Sequence, residues 1–419
     1  MAKFIIKGGQ PLQGEIKVSG NKNAILPIMA ATVLTSQKCI LENVPQISDV
    51  EVMARILQGI GARIEGLGTP RLIIDPENVS QFVLDPELVK KLRASVLLLG
   101  PLLARFGKAR MRHPGGCLLG RRAIGTHFDA LTALGAKIVT SEENYEAKVR
   151  QSHGAHIFLD EASVTATENA LMMASLTSGV TMIEDAACEP YVEDLANFLI
   201  SMGAQIEGAG TNRIRVAGVK SLSGASHRVL PDYMDIGTFA IAAAVTKGSV
   251  TITGVRENDL QMILLYLGRM GVKYQLENGM LKILPSELVA ANAKIQTRPW
   301  PGFPTDLMSP LIVLATQARG TTLCHDWMYE TRMFFVDKLI TMGANITLCD
   351  PHRALVVGPS KLKGKELESP DIRAGMALVV AALCAQGESV IDKVELIERG
   401  YEKIEERLKS LGADIKRIA

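Results

Sequence analysis

One short phrase recurs six times along the 419 residues: a leucine, isoleucine or methionine, then Gly-Ala (once Gly-Val), a polar residue, and Ile or Tyr. It reads IGARIEG, LGAKIV, MGAQIEG, MGVKYQL, MGANITL and LGADIKRI, and its glycines are Gly61, Gly135, Gly203, Gly271, Gly343 and Gly412. Their spacings are 74, 68, 68, 72 and 69 residues. Self-similarity at a fixed period means that one supersecondary unit is used repeatedly, and this period is too long for ankyrin or tetratricopeptide arrays. Each glycine follows an amphipathic stretch such as VEVMARILQGI or DLANFLISMGA. A glycine there fits a left-handed helix cap with a strand starting directly after it.

Upstream of each phrase lies a second helix-like stretch that is apolar nearly all round, as in ILPIMAATVLTSQKCILENV, GTFAIAAAVTKGSVTITGV and GMALVVAALCAQGESVIDKV. A helix apolar on every side is buried on every side. The repeat therefore predicts strand, buried helix, strand, outer helix, strand. Six copies predict an α/β protein of two three-repeat domains, buried helices inside and sheets outside. The expected domains are residues 22–229, and residues 1–21 together with 230–419. Composition suits this: 47% hydrophobic and 21% charged residues exclude a disordered chain. A net charge of +2 with 5% aromatics excludes a general nucleic-acid binder. No apolar run reaches the roughly 18–20 residues that span a bilayer, and the N-terminal MAKFIIKGGQ has no signal-peptide core. Six scattered cysteines without a CxxC pair predict a reduced, cytoplasmic protein without membrane attachment.

The residues that open the buried helices carry the functional signal. Counted back from the repeat glycines they are Lys22, Arg93, Ser163, Asp232, Asp306 and Arg373, at offsets of 39, 42, 40, 39, 37 and 39. Five of the six are ionisable although each precedes a long apolar run. Helix N-termini attract anions, so Lys22, Arg93 and Arg373 there predict a site for a multiply charged anion, in a cleft between the domains. A cation gains nothing as an N-cap. Asp232 and Asp306 can be read as N-caps, and Asp306, in the turn-rich GFPTD, equally as a functional carboxylate.

The segment KARMRHPGGCLLGRR adds a candidate nucleophile. Pro114-Gly115-Gly116 makes Cys117 a loop residue, and Lys108, Arg110, Arg112, His113, Arg121 and Arg122 surround it in sequence. Nearby cations lower a thiol pKa and favour the reactive thiolate. The other five cysteines are expected to be small buried hydrophobes. The seven histidines show no HExxH or paired spacing, and no GxGxxG or Walker-A motif is present, so neither a metal nor an organic cofactor is expected.

SGNKNA (19–24), LRASVLLLGPLLARFG (92–107), PGGC (114–117), FPTD (303–306), PDIRAG (370–375) and ERGYEKIEERLKSLGA (398–413) together span the chain. In combination they resemble the UDP-N-acetylglucosamine 1-carboxyvinyltransferases, the enolpyruvyl transferases of the first committed step of bacterial peptidoglycan synthesis. The resemblance implies a two-domain inside-out α/β barrel and transfer of enolpyruvate from phosphoenolpyruvate to a sugar 3-hydroxyl, with release of phosphate. The PGGC loop argues against the shikimate-pathway relative of the same fold. By matching position, the resemblance gives Lys22, Arg122 and Arg399 to the phosphate of phosphoenolpyruvate, and Arg332 and Arg373 to its carboxylate. Cys117 matches the loop cysteine that adds to the enolpyruvyl group and is alkylated by fosfomycin. Asp306 matches the carboxylate beside the reacting hydroxyl. Asn23, Arg93, Ser163, Val164 and Met328 match positions on the UDP-N-acetylglucosamine side.

The acceptor half departs from the family pattern. Ala123-Ile124-Gly125-Thr126-His127 stands where Pro-Val-Asp-Leu-His is common, so Gly125 lacks an acid that contacts uracil. Ser163-Val164-Thr165-Ala166-Thr167 stands for Ser-Val-Gly-Ala-Thr, placing the Thr165 side chain where backbone approaches the diphosphate. Glu161 takes a position that is lysine in some members, and Glu189-Pro190-Tyr191 replaces Glu-Pro-Glu. The alternatives are an enolpyruvyl transferase with another acceptor, and a catalytically silent paralogue that binds sugar nucleotides.

Overall fold

In a computed structural model, residues 2–115, 124–290 and 294–418 are described. The chain divides into two compact units. Gly20 to Leu230 forms one, the undescribed stretch 116–123 aside, and the residues up to Ser19 with those from Pro231 onward form the other. Each unit holds three copies of the repeat.

The repeat contains one strand more than expected. In the first copy, the inner helix Lys22–Ala31 leads to strand Cys39–Glu42, the outer helix Ser48–Gly59, and strands Arg63–Glu65 and Arg71–Asp75. The last two pair antiparallel, and Arg71–Asp75 returns to pair antiparallel with Cys39–Glu42. The phrase glycine makes the turn from outer helix to hairpin: all six have positive φ, from 81° to 114°. At Gly61 an added Cβ would also lie 2.4 Å from the Asn78 carbonyl, so the turn excludes a side chain twice over.

A short parallel strand from a neighbouring copy completes most sheets. Ser226–Arg228, after the third copy, pairs in parallel with Cys39–Glu42 of the first. In the other unit Gln13–Lys17 pairs with Ser249–Thr253, Lys294–Gln296 with Gly320–His325, and Glu366–Glu368 with Glu388–Asp392. Lys3–Lys7 lies antiparallel between Glu388–Asp392 and Asp414–Ile418, supplying the returning strand of the sixth copy from the other end of the chain. This pairing ties the N-terminal residues to the C-terminal unit. Five of the six sheets among the described residues are thus mixed, and the three-stranded one, Lys108–Arg112, Asn144–Val149 and Ala136–Thr140, is antiparallel.

The inner helices are the core. Every residue of Tyr233–Val245 is buried, as are Met308–Thr316 and Arg373–Leu383. Small residues let them approach closely: a Cβ on Gly100 would meet the Asn169 carbonyl at 2.6 Å. No helix of the described residues is long and apolar enough to cross a membrane.

Among the cysteines expected to be buried, Cys39 and Cys324 are, Cys188 and Cys384 are half-buried, and Cys349 is exposed. Cys349 sits on strand Asn345–Asp350, where alternation puts it on the exposed face with Asn345 and Thr347.

Candidate active site

The residues that open the inner helices fall into two roles. Caps come from side chains that can accept: Asn21 Oδ1 takes the Asn23 and Ala24 N–H groups at 2.8 and 3.0 Å, and Asp371 Oδ1 takes those of Arg373 and Ala374 at the same distances. Asp232 is a cap as well, accepting from Met234 at 2.9 Å. The residues beside these caps, Lys22 and Arg373, are thereby left to other work. Asp306 is no cap. It lies in the short 3-10 turn Thr305–Leu307, and its carboxylate faces two arginines.

Asp306 Oδ1 accepts from Arg332 Nη2 at 3.1 Å and Oδ2 from Arg373 Nε at 2.9 Å. Both arginine side chains are nearly fully buried, at 1% and 5% exposure, while that of Asp306 keeps 25%. Burial opposes each guanidinium charge, but Asp306 leads a set of neighbours that outweighs it, and both pKa values lie above the ordinary arginine value. Each guanidinium also stands over a ring: Arg332 over Tyr329 and Arg373 over Tyr401, both 5.2 Å from the centroid. Behind Arg332 lies fully buried Asp326, held by Thr297 Oγ1, Thr305 Oγ1 and the backbone N–H of Met328. Arg332 Nε and Nη1 and Arg373 Nη1 are buried with no hydrogen-bond partner among the described residues. Unpaired buried donors are costly. Two charged forks with spare N–H groups match the geometry of a carboxylate or phosphate. Met328 is half-buried next to this cluster, and Arg399 ends the 3-10 helix Val394–Arg399 of the same unit.

In the other unit, Lys22 Nζ lies 2.9 Å from Asp49 Oδ2, with both side chains largely buried. Asp49 is in the first turn of the outer helix Ser48–Gly59, where the helix field favours its charge. Arg93 opens a 3-10 helix, Arg93–Leu98, that runs directly into the inner helix Leu99–Phe106. Its charge acts on His127 and Tyr145. Ser163 precedes the inner helix Val164–Ser175 and makes no side-chain cap, while Asn23 and Val164 are half-buried at their helix starts. Cys117 and Arg122 lie outside the described residues. Of the cations before them, Arg110 pairs with Glu146 at 3.3 Å and Arg112 with Glu143 at 3.0 Å, so two of the expected neighbours are already matched to carboxylates.

A further polar cluster was not anticipated. His127 is buried between Asn169 Nδ2, 2.9 Å from its Nδ1, and Thr165 Oγ1, 3.0 Å from its Nε2. Burial, then the Arg93 charge, push the imidazole pKa down to about 3. Gly125, which opens helix Gly125–Ala133, has no atom within 4 Å of an added Cβ, so the backbone does not require glycine there. Among the described residues no His, Cys, Asp and Glu grouping suits a metal ion.

Comparison with known proteins gives the family. Residues 6–408 match the sequence model of the family described as EPSP synthase (3-phosphoshikimate 1-carboxyvinyltransferase). The chain is 50% identical to the UDP-N-acetylglucosamine 1-carboxyvinyltransferase of Treponema denticola, with 99% of each chain covered. It is 47% identical to the protein of that name from Bradyrhizobium diazoefficiens, covering 99% of this chain and 98% of the relative. Among solved structures, it is similar to the enolpyruvyl transferase NikO from Streptomyces tendae, with a TM-score of 0.89, 25% identity, and 99% and 98% of the two chains covered. EPSP synthase from Acinetobacter baumannii, at 20% identity, shares the fold with a TM-score of 0.76 over 100% of both chains.

Proposed function

The chain belongs to the EPSP synthase family and, within it, to the UDP-N-acetylglucosamine 1-carboxyvinyltransferases, and on that premise we propose that it transfers the enolpyruvyl group of phosphoenolpyruvate to the 3-hydroxyl of UDP-N-acetylglucosamine, a step of peptidoglycan synthesis. The observation that carries this reading is the Asp306 carboxylate set between two buried arginines, each with an Nη1 group that has no hydrogen-bond partner among the described residues. It supplies a carboxylate receptor and a candidate base side by side.

Phosphoenolpyruvate carries a carboxylate and a phosphate. Arg332 and Arg373 take the carboxylate; Lys22, Arg122 and Arg399 take the phosphate. Asn23, Arg93, Ser163, Val164 and Met328 bind the sugar nucleotide. Asp306 orients the 3-hydroxyl and accepts its proton as the oxygen bonds to C2. C3 gains a proton to become a methyl group, with Cys117 as its donor. The second half reverses the proton movement: C3 loses a proton, the C2–C3 double bond reforms, and the C2–O bond to phosphate breaks. Lys22 stabilises the departing phosphate. We place the reaction in the cytoplasm, since six scattered cysteines without a CxxC pair suit a reducing compartment.

Fosfomycin tests the donor side. Incubation with and without UDP-N-acetylglucosamine, followed by intact-mass and peptide mapping, should show one adduct, on Cys117. Labelling of another cysteine, or none, would contradict the assignment of Cys117.

A further inference from the structure

The hydrogen bonds around His127 fix its tautomer. Asn169 Nδ2 donates to the Val96 carbonyl at 3.0 Å and Oδ1 accepts from Gly100 N at 2.8 Å, so the amide cannot be flipped. The same NH2 group faces His127 Nδ1, which must then be the lone-pair nitrogen of a neutral ring. The ring proton is on Nε2 and points at Thr165 Oγ1, which accepts it. A hydroxyl that accepts in this way keeps its own proton for another acceptor, and none of the described residues takes it. Thr165 is half-buried, and the charge of Arg93 acts on the same imidazole. Thr165 is the second residue of the inner helix Val164–Ser175, where the helix N-terminus favours an anion, and its spare hydroxyl proton suits an anionic oxygen even with the Asp160 carboxylate bonded to Thr126 nearby.

We propose that Thr165 donates a hydrogen bond to a phosphoryl oxygen of the acceptor's diphosphate, and that His127 is the positioning residue that turns its hydroxyl outward. This rests on the reading of the acceptor as UDP-N-acetylglucosamine. The hydroxyl compensates on the phosphate side for the acid absent at Gly125. Because the imidazole is neutral, it orients Thr165 without adding a charge, and binding through this relay is insensitive to pH across the range where a free histidine titrates.

The test is calorimetric titration of UDP and UDP-N-acetylglucosamine into the wild type, Thr165→Val and Thr165→Ser, with the KM for phosphoenolpyruvate measured alongside. The valine variant should bind both nucleotides about tenfold more weakly, the serine variant should match the wild type, and the phosphoenolpyruvate KM should stay within twofold. His127→Gln should weaken nucleotide binding in the wild-type background and add nothing in the Thr165→Val background, with folding verified by thermal unfolding. Wild-type affinity in Thr165→Val, or a serine variant as weak as valine, would overturn the hydroxyl contact. Equal losses from His127→Gln in both backgrounds would overturn the relay. A wild type that binds neither nucleotide would instead overturn the reading of the acceptor, and this proposal with it.

Discussion

Arg373 Nε donates to Asp306 Oδ2 at 2.9 Å, and this bond separates two meanings of an aspartate at the mouth of an inner helix. As a cap, Asp306 would be spent on backbone N–H groups. As the counter-ion of Arg373 and Arg332 it stays 25% exposed and fixed in direction, as the proposed role of base requires.

Asp306→Asn should therefore lower turnover by roughly 10²–10⁴-fold. The amide can satisfy one arginine but presents N–H groups to the other, so the unfolding midpoint should drop by a few degrees, equivalent to about 1–2 kcal/mol. Phosphoenolpyruvate brings its own carboxylate and should stabilise the variant more than the wild type in a thermal-shift assay. Near-normal turnover would retire Asp306 as the base.

Arg373→Lys keeps a charge but loses the planar fork. The KM for phosphoenolpyruvate should rise about 10–100-fold, the worth of a charge-assisted bond, with the affinity for UDP-N-acetylglucosamine within twofold. Initial-rate kinetics with each substrate varied in turn measures this split. Equal weakening of both substrates would point to a role in folding alone.

Asp49 holds Lys22 at 2.9 Å from a neighbouring helix. Asp49→Asn should lower turnover about tenfold through a misplaced Lys22 ammonium, and cost about 1–3 kcal/mol of stability, because a largely buried charge loses its partner. A double-mutant cycle with Lys22→Met, read by denaturant unfolding, should give a coupling above about 0.5 kcal/mol. Additive effects would show that the pair does not interact in solution.

Glu168, on the inner helix Val164–Ser175, is buried with Oε1 unpaired among the described residues. Burial, then the Glu189 charge, raise its pKa well above the carboxylate range. The folded state keeps this proton while the unfolded state releases it, so stability is fully present below the ordinary carboxylate pKa and is lost as pH rises toward the folded value. Glu168→Gln removes that dependence. It should be more stable than the wild type by about 1–2 kcal/mol at pH 8, with the advantage gone near pH 4.5. An equal difference at both pH values would mean that Glu168 is ionised in the fold.

The repeat was legible because glycine and apolar periodicity report backbone needs directly: six phrase glycines became six left-handed turns. The hairpin strand escaped notice because its turn glycines, Gly66 and Gly68 in the first copy, Gly208 and Gly210 in the third and Gly279 in the fourth, do not recur in every copy as the phrase glycine does. Lys22, Arg373 and Asp306 stood out as charges beside apolar runs. Their partners did not: Asp49 and Asp326 are acids whose neighbours come from distant parts of the chain, or from a turn that local pattern does not define. The caps Asn21 and Asp371 sit one and two residues before the cations that drew attention, and were hidden by them. His127 stood in the sequence only as the last, matching residue of the stretch 123–127, with nothing there to show what it touches. Its role depends on Asn169 and Thr165, 42 and 38 residues further along the chain.

The most direct test of the central claim is to incubate the protein with phosphoenolpyruvate and UDP-N-acetylglucosamine, measure released phosphate, and identify the nucleotide product by mass spectrometry and NMR. The account predicts phosphate and a sugar nucleotide bearing an enolpyruvyl ether on the 3-hydroxyl in equal amounts, and neither when UDP-N-acetylglucosamine is omitted. Phosphate release without that ether, or a product formed only with a different acceptor, would contradict it.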